Sequence, residues 1–232
     1  MKPVLIIQNC DAESAGSIPD YLKERHLPST VVHSYLQEPF PALEQIQAVI
    51  NLGCPLSVTT YHEHPFLRDL YAFVAGAVRA GTPYLGVCFG GQLLAKVLGA
   101  RVEANPVKEI GVYDVKLSET GRSDPLFEGF EPNFAVIQWH SDTFRIPFGA
   151  QTLAEGADCK NQAFRVGRAV GLQFHLEASA AEVFKWCEAY PNELQEVGRS
   201  REQFLEAARR NEAEIRKSND RLLDNFFRMN QD

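Results

Sequence analysis

The sequence predicts an α/β fold built on a doubly wound, mostly parallel sheet, with an antiparallel extension and a long C-terminal helix. Continuous apolar runs at 3–8 and 47–52 are typical of parallel strands covered on both faces. Strand and helix patterns alternate up to about residue 99, whereas strand patterns separated by turn signals follow over 111–174. Helical apolar spacing then returns and continues almost to the end of the chain.

The composition is that of a soluble globular protein. The 232 residues suffice for one large domain, which we expect to consist of a core at 1–190 and a helical extension at 191–232. No apolar run approaches the ~18 residues of a membrane helix, and the net charge of −7 without a basic stripe argues against a nucleic-acid partner. Scattered cysteines without a Cys-x-x-Cys pair, and no secretory apolar region, predict a cytoplasmic location.

The first half of the chain alternates strands with helices. Apolar runs predict three strands, at 3–8, 30–34 and 47–52. A short helix is predicted from Ile18. A helix of about four turns is predicted from Pro65, because proline suits a first helical turn and Gly81 lies just past the end. In such sheets, ligands bind at the carboxyl ends of the strands, and Gly53-Cys54-Pro55 follows the third strand there.

Residues 82–99 predict a strand, a sharp turn and a helix, with Cys88 at the turn. The pattern Gly-x-Cys-x-Gly is the thiol version of a nucleophile elbow, in which small neighbours permit a tight turn and the nucleophile projects from the sheet edge. Cys88 would lie at a helix N-terminus, where backbone N–H groups and the helix dipole favour the thiolate. The alternative is a buried structural cysteine beside a flexible turn.

From Gly99 to Phe174 we expect strands and turns without helices. The predicted strands are 111–117, 133–139, 152–154 and a hairpin of 163–166 with 169–174. A helix at about 180–189 follows, and Ser200 with Gln203 forms a capping box that opens a long helix. Its apolar stripe indicates packing on the domain or on a partner. The run Ser218-Asn219-Asp220 marks a candidate interruption of this helix.

The end of the last predicted strand offers Cys88 a base. In an extended backbone, residues i and i+2 point to the same face, so His175 and Glu177 can lie side by side. Glu177 would then hold the imidazole tautomer and stabilise the imidazolium, as the acid of a catalytic triad does. An exposed polar pair at a strand end is one alternative. A metal site is another, although no third ligand is evident.

Three motifs, taken in order, resemble those of the class I, triad-type glutamine amidotransferases. The family pattern is roughly Gly-Gly-Pro, Gly-x-Cys-x-Gly-x-Gln and Gln-Phe-His-Pro-Glu. The corresponding segments are Leu52-Gly53-Cys54-Pro55, Gly86-Val87-Cys88-Phe89-Gly90-Gly91-Gln92 and Gly171-Leu172-Gln173-Phe174-His175-Leu176-Glu177. Segments 138–144 and 161–165 also look like those of stand-alone proteins similar to the glutaminase domain of GMP synthase. The resemblance implies a flavodoxin-like fold of the class I glutaminase type.

The resemblance implies a triad of Cys88, His175 and Glu177 that hydrolyses the glutamine side-chain amide through a γ-glutamyl thioester and releases ammonia. Backbone N–H groups would hold the oxyanion, one from Phe89 and one from the Gly53-Cys54 turn. Three further residues are implied near the amino-acid end of the substrate, with a plain loop role as the alternative for the last two. They are Gln92, His140 and Asp142.

Two residues depart from the family pattern, since Cys54 replaces the second glycine and Leu176 replaces the proline. If the turn requires positive φ, Cys54 is strained and the oxyanion donor is affected. We read Cys10, Cys54, Cys159 and Cys187 as small apolar fillers.

The expected substrate is a small molecule, either glutamine or another γ-glutamyl compound. The chain has no phosphate-binding glycine loop and no room for a synthetase domain, so a separate synthase subunit is the candidate ammonia acceptor. We expect no cofactor, no metal and no membrane partner. Two alternatives remain: a γ-glutamyl peptidase or hydrolase acting on γ-glutamyl amines or peptides, and a catalytically silent regulatory or interaction domain.

Overall fold

A computed structural model describes residues 1–230, which form one sheet flanked by helices. The strands are β1 (Val4–Gln8), β2 (Ser29–His33), β3 (Ala48–Asn51), β4 (Tyr84–Val87), β5 (Val102–Leu117), β6 (Asn133–Phe144), β7 (Gln151–Glu155), β8 (Ala163–Val166) and β9 (Ala169–Leu172). The α-helices are α1 (Ile18–Glu24), α2 (Pro65–Arg79), α3 (Phe89–Val97), α4 (Glu119–Ser123), α5 (Ala180–Ala189), α6 (Pro191–Glu196) and α7 (Arg201–Arg228). Short 3-10 helices are Ser34–Leu36, Leu43–Gln45, Val58–Glu63 and Pro125–Phe127.

The strand order is β2-β1-β3-β4-β9-β8-β7-β5-β6. Strands β1, β2, β3, β4 and β9 pair in parallel, and the remaining pairs are antiparallel. The parallel half has the flavodoxin-like order, with β9 in the fifth position. The predicted fold class is therefore confirmed, and β9 joins the parallel half to the antiparallel extension.

Apolar layers lie on both faces of the sheet. Alternate residues of β1 point to opposite faces, so Val4 and Ile6 belong to the layer with α1, α5 and α7. Leu5 and Ile7 belong to the layer with α2 and α3. Because both faces of the parallel strands are covered, their sequences are continuously apolar, and their polar atoms are exposed at the carboxyl ends.

The long helix α7 packs on the chain's own sheet. Its apolar stripe is buried within the layer that also contains α1 and α5, and Ser200 Oγ caps it by accepting a hydrogen bond from Gln203 N at 3.1 Å. The predicted interruption is wrong, because the buried Asn219 amide donates to Ser17 Oγ at 3.0 Å and the helix continues. Residues 231–232 of the predicted extension lie outside the described residues. Among the helices of residues 1–230, none combines the length and apolar character needed to cross a membrane.

The expectation of a helix-free extension is also wrong. The helix α4 and a 3-10 turn lie between β5 and β6, and both start at side-chain caps. Ser118 Oγ accepts from Gly121 N at 2.9 Å, and Asp124 Oδ1 accepts from Leu126 N at 3.0 Å. Such short helices are specified by capping hydrogen bonds rather than by an apolar period, so periodicity does not reveal them. Strand β5 also begins earlier than predicted, at Val102.

Candidate active site

Cys88 forms a strained elbow between β4 and α3. Its φ of 51° and ψ of −109° are unusual for a residue with a side chain. The backbone of Cys88 donates to Leu172 O of β9 at 2.9 Å. Glycine is required at Gly90, because a Cβ there would overlap the carbonyl oxygen of Asn51. The helix thus starts directly against the sheet, with Cys88 at its first turn.

A chain of buried hydrogen bonds holds the elbow in place. Asn9 Nδ2 donates to Asn51 Oδ1 at 2.9 Å, and Asn51 Nδ2 donates to the Tyr84 hydroxyl at 2.8 Å. The Tyr84 hydroxyl donates in turn to Gly90 O at 3.0 Å. Because fully satisfied buried networks are rigid, these bonds fix the ends of β1, β3 and β4 relative to the start of α3.

Burial favours the neutral form of the Cys88 thiol. Burial raises its pKa well above the ordinary value, and the nearby Glu13 carboxyl raises it further. The backbone N–H of Phe89 lowers the pKa, as expected at a helix N-terminus, but burial outweighs that effect. The expected resting thiolate is therefore not favoured, and the sulfur requires a base before it can act as a nucleophile.

His175 and Glu177 form a buried pair. His175 Nδ1 lies 2.6 Å from Glu177 Oε1, and both side chains are buried. Backbone hydrogen bonds of 2.8 and 3.1 Å tie His175 to Ile137 of β6, and its ring packs against Trp186 at a centroid distance of 4.9 Å. Burial lowers the pKa of His175, but the charge and hydrogen bond of Glu177 raise it more, so the net direction is upward. The pair has the geometry of a base oriented by an acid.

The Gly53-Cys54 turn lies against this pair. Neither residue has a positive φ, so the side chain of Cys54 does not strain the backbone. A Cβ on Gly53 would overlap Glu13 Oε2 and approach His175 Cε1 to 3.1 Å. Cys54 lines the same cavity as Cys88. The turn that follows β3 therefore faces the elbow that follows β4.

Gln92 and Asp142 are joined across the cavity wall. Gln92 Nε2 donates to Asp142 O at 3.0 Å and to Gln173 Oε1 at 3.3 Å. The Asp142 carboxylate accepts from Ser57 Oγ at 2.5 Å, which connects β6 to the loop after Gly53. Gln173 Nε2 also lies 3.8 Å from Cys88 Sγ. Gln92 and Asp142 thus share the cavity with the thiol.

His140 belongs to a buried polar cluster next to the contact between Gln92 and Asp142. Its Nδ1 lies 3.0 Å from Asp142 O, and its Nε2 lies 2.8 Å from Glu109 Oε2. Potential ligand atoms of Glu109, His140 and Cys159 lie within 4.8 Å of one another. However, Glu109 also accepts from Gln162 at 2.9 Å, so these groups already satisfy one another. The cluster holds the His140–Asp142 segment in place.

The cavity has a volume of about 350 Å³ and lies at the carboxyl ends of the parallel strands. The sequence-predicted residues Cys54, Cys88, Gln92, His140 and Asp142 line it. Several other lining residues were not singled out from the sequence, among them Glu13, Ser57, Lys108, Tyr190, Glu193 and Glu196.

Glu13 is the most informative of the missed residues. It is 8% exposed, and burial raises its pKa to about 8, with Cys10 and two neighbouring carboxylates acting in the same direction and His175 opposing. At neutral pH it is therefore mostly protonated. The signal available in the sequence was its place in the loop after β1, at the edge where ligands bind in such sheets.

Comparison with known proteins identifies the family of the chain. The sequence profile of the family described as glutamine amidotransferase class-I matches residues 6–183. The glutamine amidotransferase-like protein YfeJ of Salmonella typhimurium is 32% identical over 176 residues, which are 74% of each chain. One of the subunits of the glutamine-hydrolyzing GMP synthase of Sulfurisphaera tokodaii is 31% identical over 156 residues, which are 64% of this chain and 79% of that one. The crystal structure of a glutamine amidotransferase from Thermotoga maritima matches with a TM-score of 0.90 and 32% identity over 97% of both chains. The chain therefore belongs to the class I glutamine amidotransferase family.

Proposed function

We propose that this protein hydrolyses the side-chain amide of glutamine with Cys88, His175 and Glu177, and so releases ammonia. The observation that supports this most strongly is the strained Cys88 elbow at the same sheet edge as the buried His175–Glu177 pair. Strain at a nucleophile is typical of active sites, because the surrounding structure must hold it there. The proposal includes a cytoplasmic location, which the scattered cysteines without a Cys-x-x-Cys pair favour.

His175 Nε2 acts as the general base. With Nδ1 bound to Glu177, it removes the proton from the Cys88 thiol, and the sulfur attacks the carboxamide carbon. The imidazolium is stabilised by Glu177 and gives its proton to the departing ammonia. A water molecule, deprotonated by His175, then hydrolyses the γ-glutamyl thioester and returns the thiol. The raised pKa of Cys88 makes this base essential.

The oxyanion is held by backbone N–H groups on both sides of the thiol. The N–H of Phe89 is one donor, since it already interacts with the Cys88 sulfur. The Gly53-Cys54 turn supplies the other, because it lies against His175 without backbone strain. Loss of one such donor typically lowers kcat by about 10²- to 10³-fold.

The amino-acid end of the substrate binds at Gln92 and Asp142. The Asp142 carboxylate, oriented by Ser57, is suited to an α-ammonium group. Gln92 is fixed beside it by the backbone of Asp142. Both ring nitrogens of His140 are engaged within the protein, so His140 positions this segment rather than contacting substrate.

A separate synthase chain is the proposed acceptor of the ammonia. The relative from Sulfurisphaera tokodaii is named as one of the subunits of a GMP synthase, which indicates that chains of this kind work beside a second chain.

A γ-glutamyl amine is the second candidate substrate. The cavity mouth carries Glu193 and Glu196, and the latter pairs with Lys108. Within residues 1–230, Glu193 leaves one carboxylate without a cation beside this pair, which favours a leaving amine that carries a second, charged amino group. Glutamine should be compared with γ-glutamyl amines and peptides in one assay. Cleavage of a γ-glutamyl amine with glutamine left intact would replace the first proposal by this one.

The decisive experiment measures ammonia and glutamate released from glutamine. Cys88→Ser and His175→Ala should each lower kcat by at least about 10³-fold. Cys187→Ser, at a buried cysteine on α5, is the matched control and should keep wild-type turnover.

A glutamine-like diazo-ketone should label Cys88 and leave the Cys88→Ser variant unlabelled. Undiminished turnover in Cys88→Ser would refute the role of the thiol. Lack of both turnover and labelling in the wild type would favour a silent regulatory domain.

A further inference from the structure

We propose that Cys10 and Cys54 form a reversible disulfide that switches the site off when the protein meets hydrogen peroxide. The effect on turnover rests on the proposed function, whereas formation of the bridge does not. The two thiols lie at the carboxyl ends of adjacent strands, where Cys54 belongs to the turn that faces Cys88.

The strand register brings these cysteines to neighbouring loops, just beyond the last paired residues. Strands β1 and β3 are parallel neighbours, and their last paired residues are Ile7 and Asn51. Cys10 and Cys54 each lie three residues further along, and the chains stay together there because Leu52 N donates to Ile7 O at 3.0 Å. Neighbouring strands are about 4.8 Å apart, which falls within the Cα separation of about 4.4 to 6.8 Å that a disulfide needs.

The two side chains are neighbours. Each thiol acts on the pKa of the other, and Cys10 Sγ lies 4.0 Å from the Tyr190 hydroxyl. Cys10 is half-buried and therefore open to a small oxidant, whereas Cys54 is buried beneath it. A bridge would thus join two side chains that are already neighbours.

The two thiols differ in reactivity. The hydrogen bond from Cys54 lowers the pKa of Cys10 to about 7, although burial opposes it, and the backbone N–H of Glu13 contributes. The hydrogen bond to Cys10, followed by burial, raises the pKa of Cys54. Cys10 is therefore the more readily ionised of the two thiols, and thiolates are the form that peroxide oxidises. Burial raises the pKa of Cys88, which protects the nucleophile.

The chemistry takes two steps. The Cys10 thiolate attacks one oxygen of hydrogen peroxide, which gives a sulfenic acid and hydroxide. The sulfur of Cys54 then attacks the Cys10 sulfur, and the hydroxyl group leaves with the Cys54 proton as water. With the hydroxide reprotonated, two thiols lose two electrons and one peroxide is reduced to two water molecules.

Formation of the disulfide would disturb the Gly53-Cys54 turn, which supplies one of the proposed oxyanion donors. Leu56 N now donates to Cys54 Sγ at 3.4 Å, and this bond is lost when the sulfur moves towards β1. The same turn contacts His175 through Gly53. Displacement of one oxyanion donor typically costs about 10²- to 10³-fold in kcat, so the oxidised protein should be nearly inactive.

The bridge is tested by peptide mapping without reductant. The Cys88→Ser variant keeps both thiols and lacks the nucleophile, so its treatment with hydrogen peroxide at pH 7 should yield a peptide linked through Cys10 and Cys54. Dithiothreitol should abolish the link. A Cys88→Ser variant that also carries Cys10→Ser should give no link, and one that carries Cys187→Ser should still give it. Oxidation without this link would overturn the proposal.

The switch is tested by turnover of γ-glutamyl substrates. Wild-type protein should lose at least tenfold in kcat on oxidation and recover in dithiothreitol, whereas Cys10→Ser should keep its activity at the same dose. Equal losses in both proteins would place the damage on Cys88 and refute the switch. Full activity in the bridged protein would also refute the switch. If the untreated protein turns over no substrate, the proposed function fails, while the peptide map still decides the bridge.

Discussion

Glu13→Gln should make the protein more stable at alkaline pH. Glu13 is buried between the Gly53 turn and His175, and it borders the reactive sulfur. Glutamine has nearly the same shape and carries no ionisable proton. The substitution therefore isolates the free energy of holding a carboxyl group in this buried position.

The magnitude follows from the pKa of Glu13, which rises from an ordinary 4.5 to about 8 in the folded protein. Because the folded state binds this proton more tightly than the unfolded chain, its contribution to stability is complete below pH 4.5. This stabilising contribution falls as the pH rises to about 8, and it does not change further at higher pH. At about 1.4 kcal/mol per pH unit, the total loss is about 5 kcal/mol. The Glu13→Gln variant should not show this loss of stability at high pH.

Urea unfolding at pH 5 and pH 9 measures the difference directly. The free energies of unfolding of wild type and Glu13→Gln should be similar at pH 5, and the variant should be several kcal/mol more stable at pH 9. The exposed Glu44 provides the control, and Glu44→Gln should follow the wild type at both values. The same pH dependence in wild type and Glu13→Gln would show that the carboxyl group is not desolvated as described.

Three further predictions concern the site and the core. Glu177→Gln should lower kcat by roughly 10²-fold or more. It should also move the acidic limb of the kcat/KM profile to lower pH, because the pKa of His175 falls when the carboxylate is removed; an unmoved limb would argue against the pairing. Gly53→Ala should lower kcat by about 10²-fold with little change in Tm, since its Cβ displaces the flexible end of Glu13 and presses on the His175 ring; wild-type kcat would contradict this. Ile215→Ala should cost about 2 to 5 kcal/mol in urea unfolding because Ile215 is 1% exposed, and a cost near zero would mean that α7 does not pack here.

Local signals in the sequence carried much of the prediction. The run before Cys88 and the glycines around it indicated the elbow, and Ser200 with Gln203 indicated the start of α7. Both depend on residues within a few positions of each other, which is the range over which apolar period and capping act. Asn219 was misread because its partner, Ser17, lies at the other end of the chain.

The pKa shifts of the site residues could not be predicted from such local signals. The helix N-terminus at Cys88 was evident from the sequence, and its N–H does act on the sulfur. The net direction of the pKa depends on how completely the fold buries the thiol, and burial is a property of the packed chain. The same reasoning applies to Glu13, which reads as part of a polar loop in the sequence.

The sequence alone determined which residues stand at the turn after β4 and at the end of β9, because strand pattern and glycine placement fix Cys88, His175 and Glu177 locally. Tertiary structure decided which residues meet them. The contacts of Glu13 with Gly53 and of Gln173 with Cys88, and the proximity of Cys10 to Cys54, join segments that are distant in sequence. They arise from the order and register of the parallel strands, which bring remote carboxyl ends to one edge of the sheet.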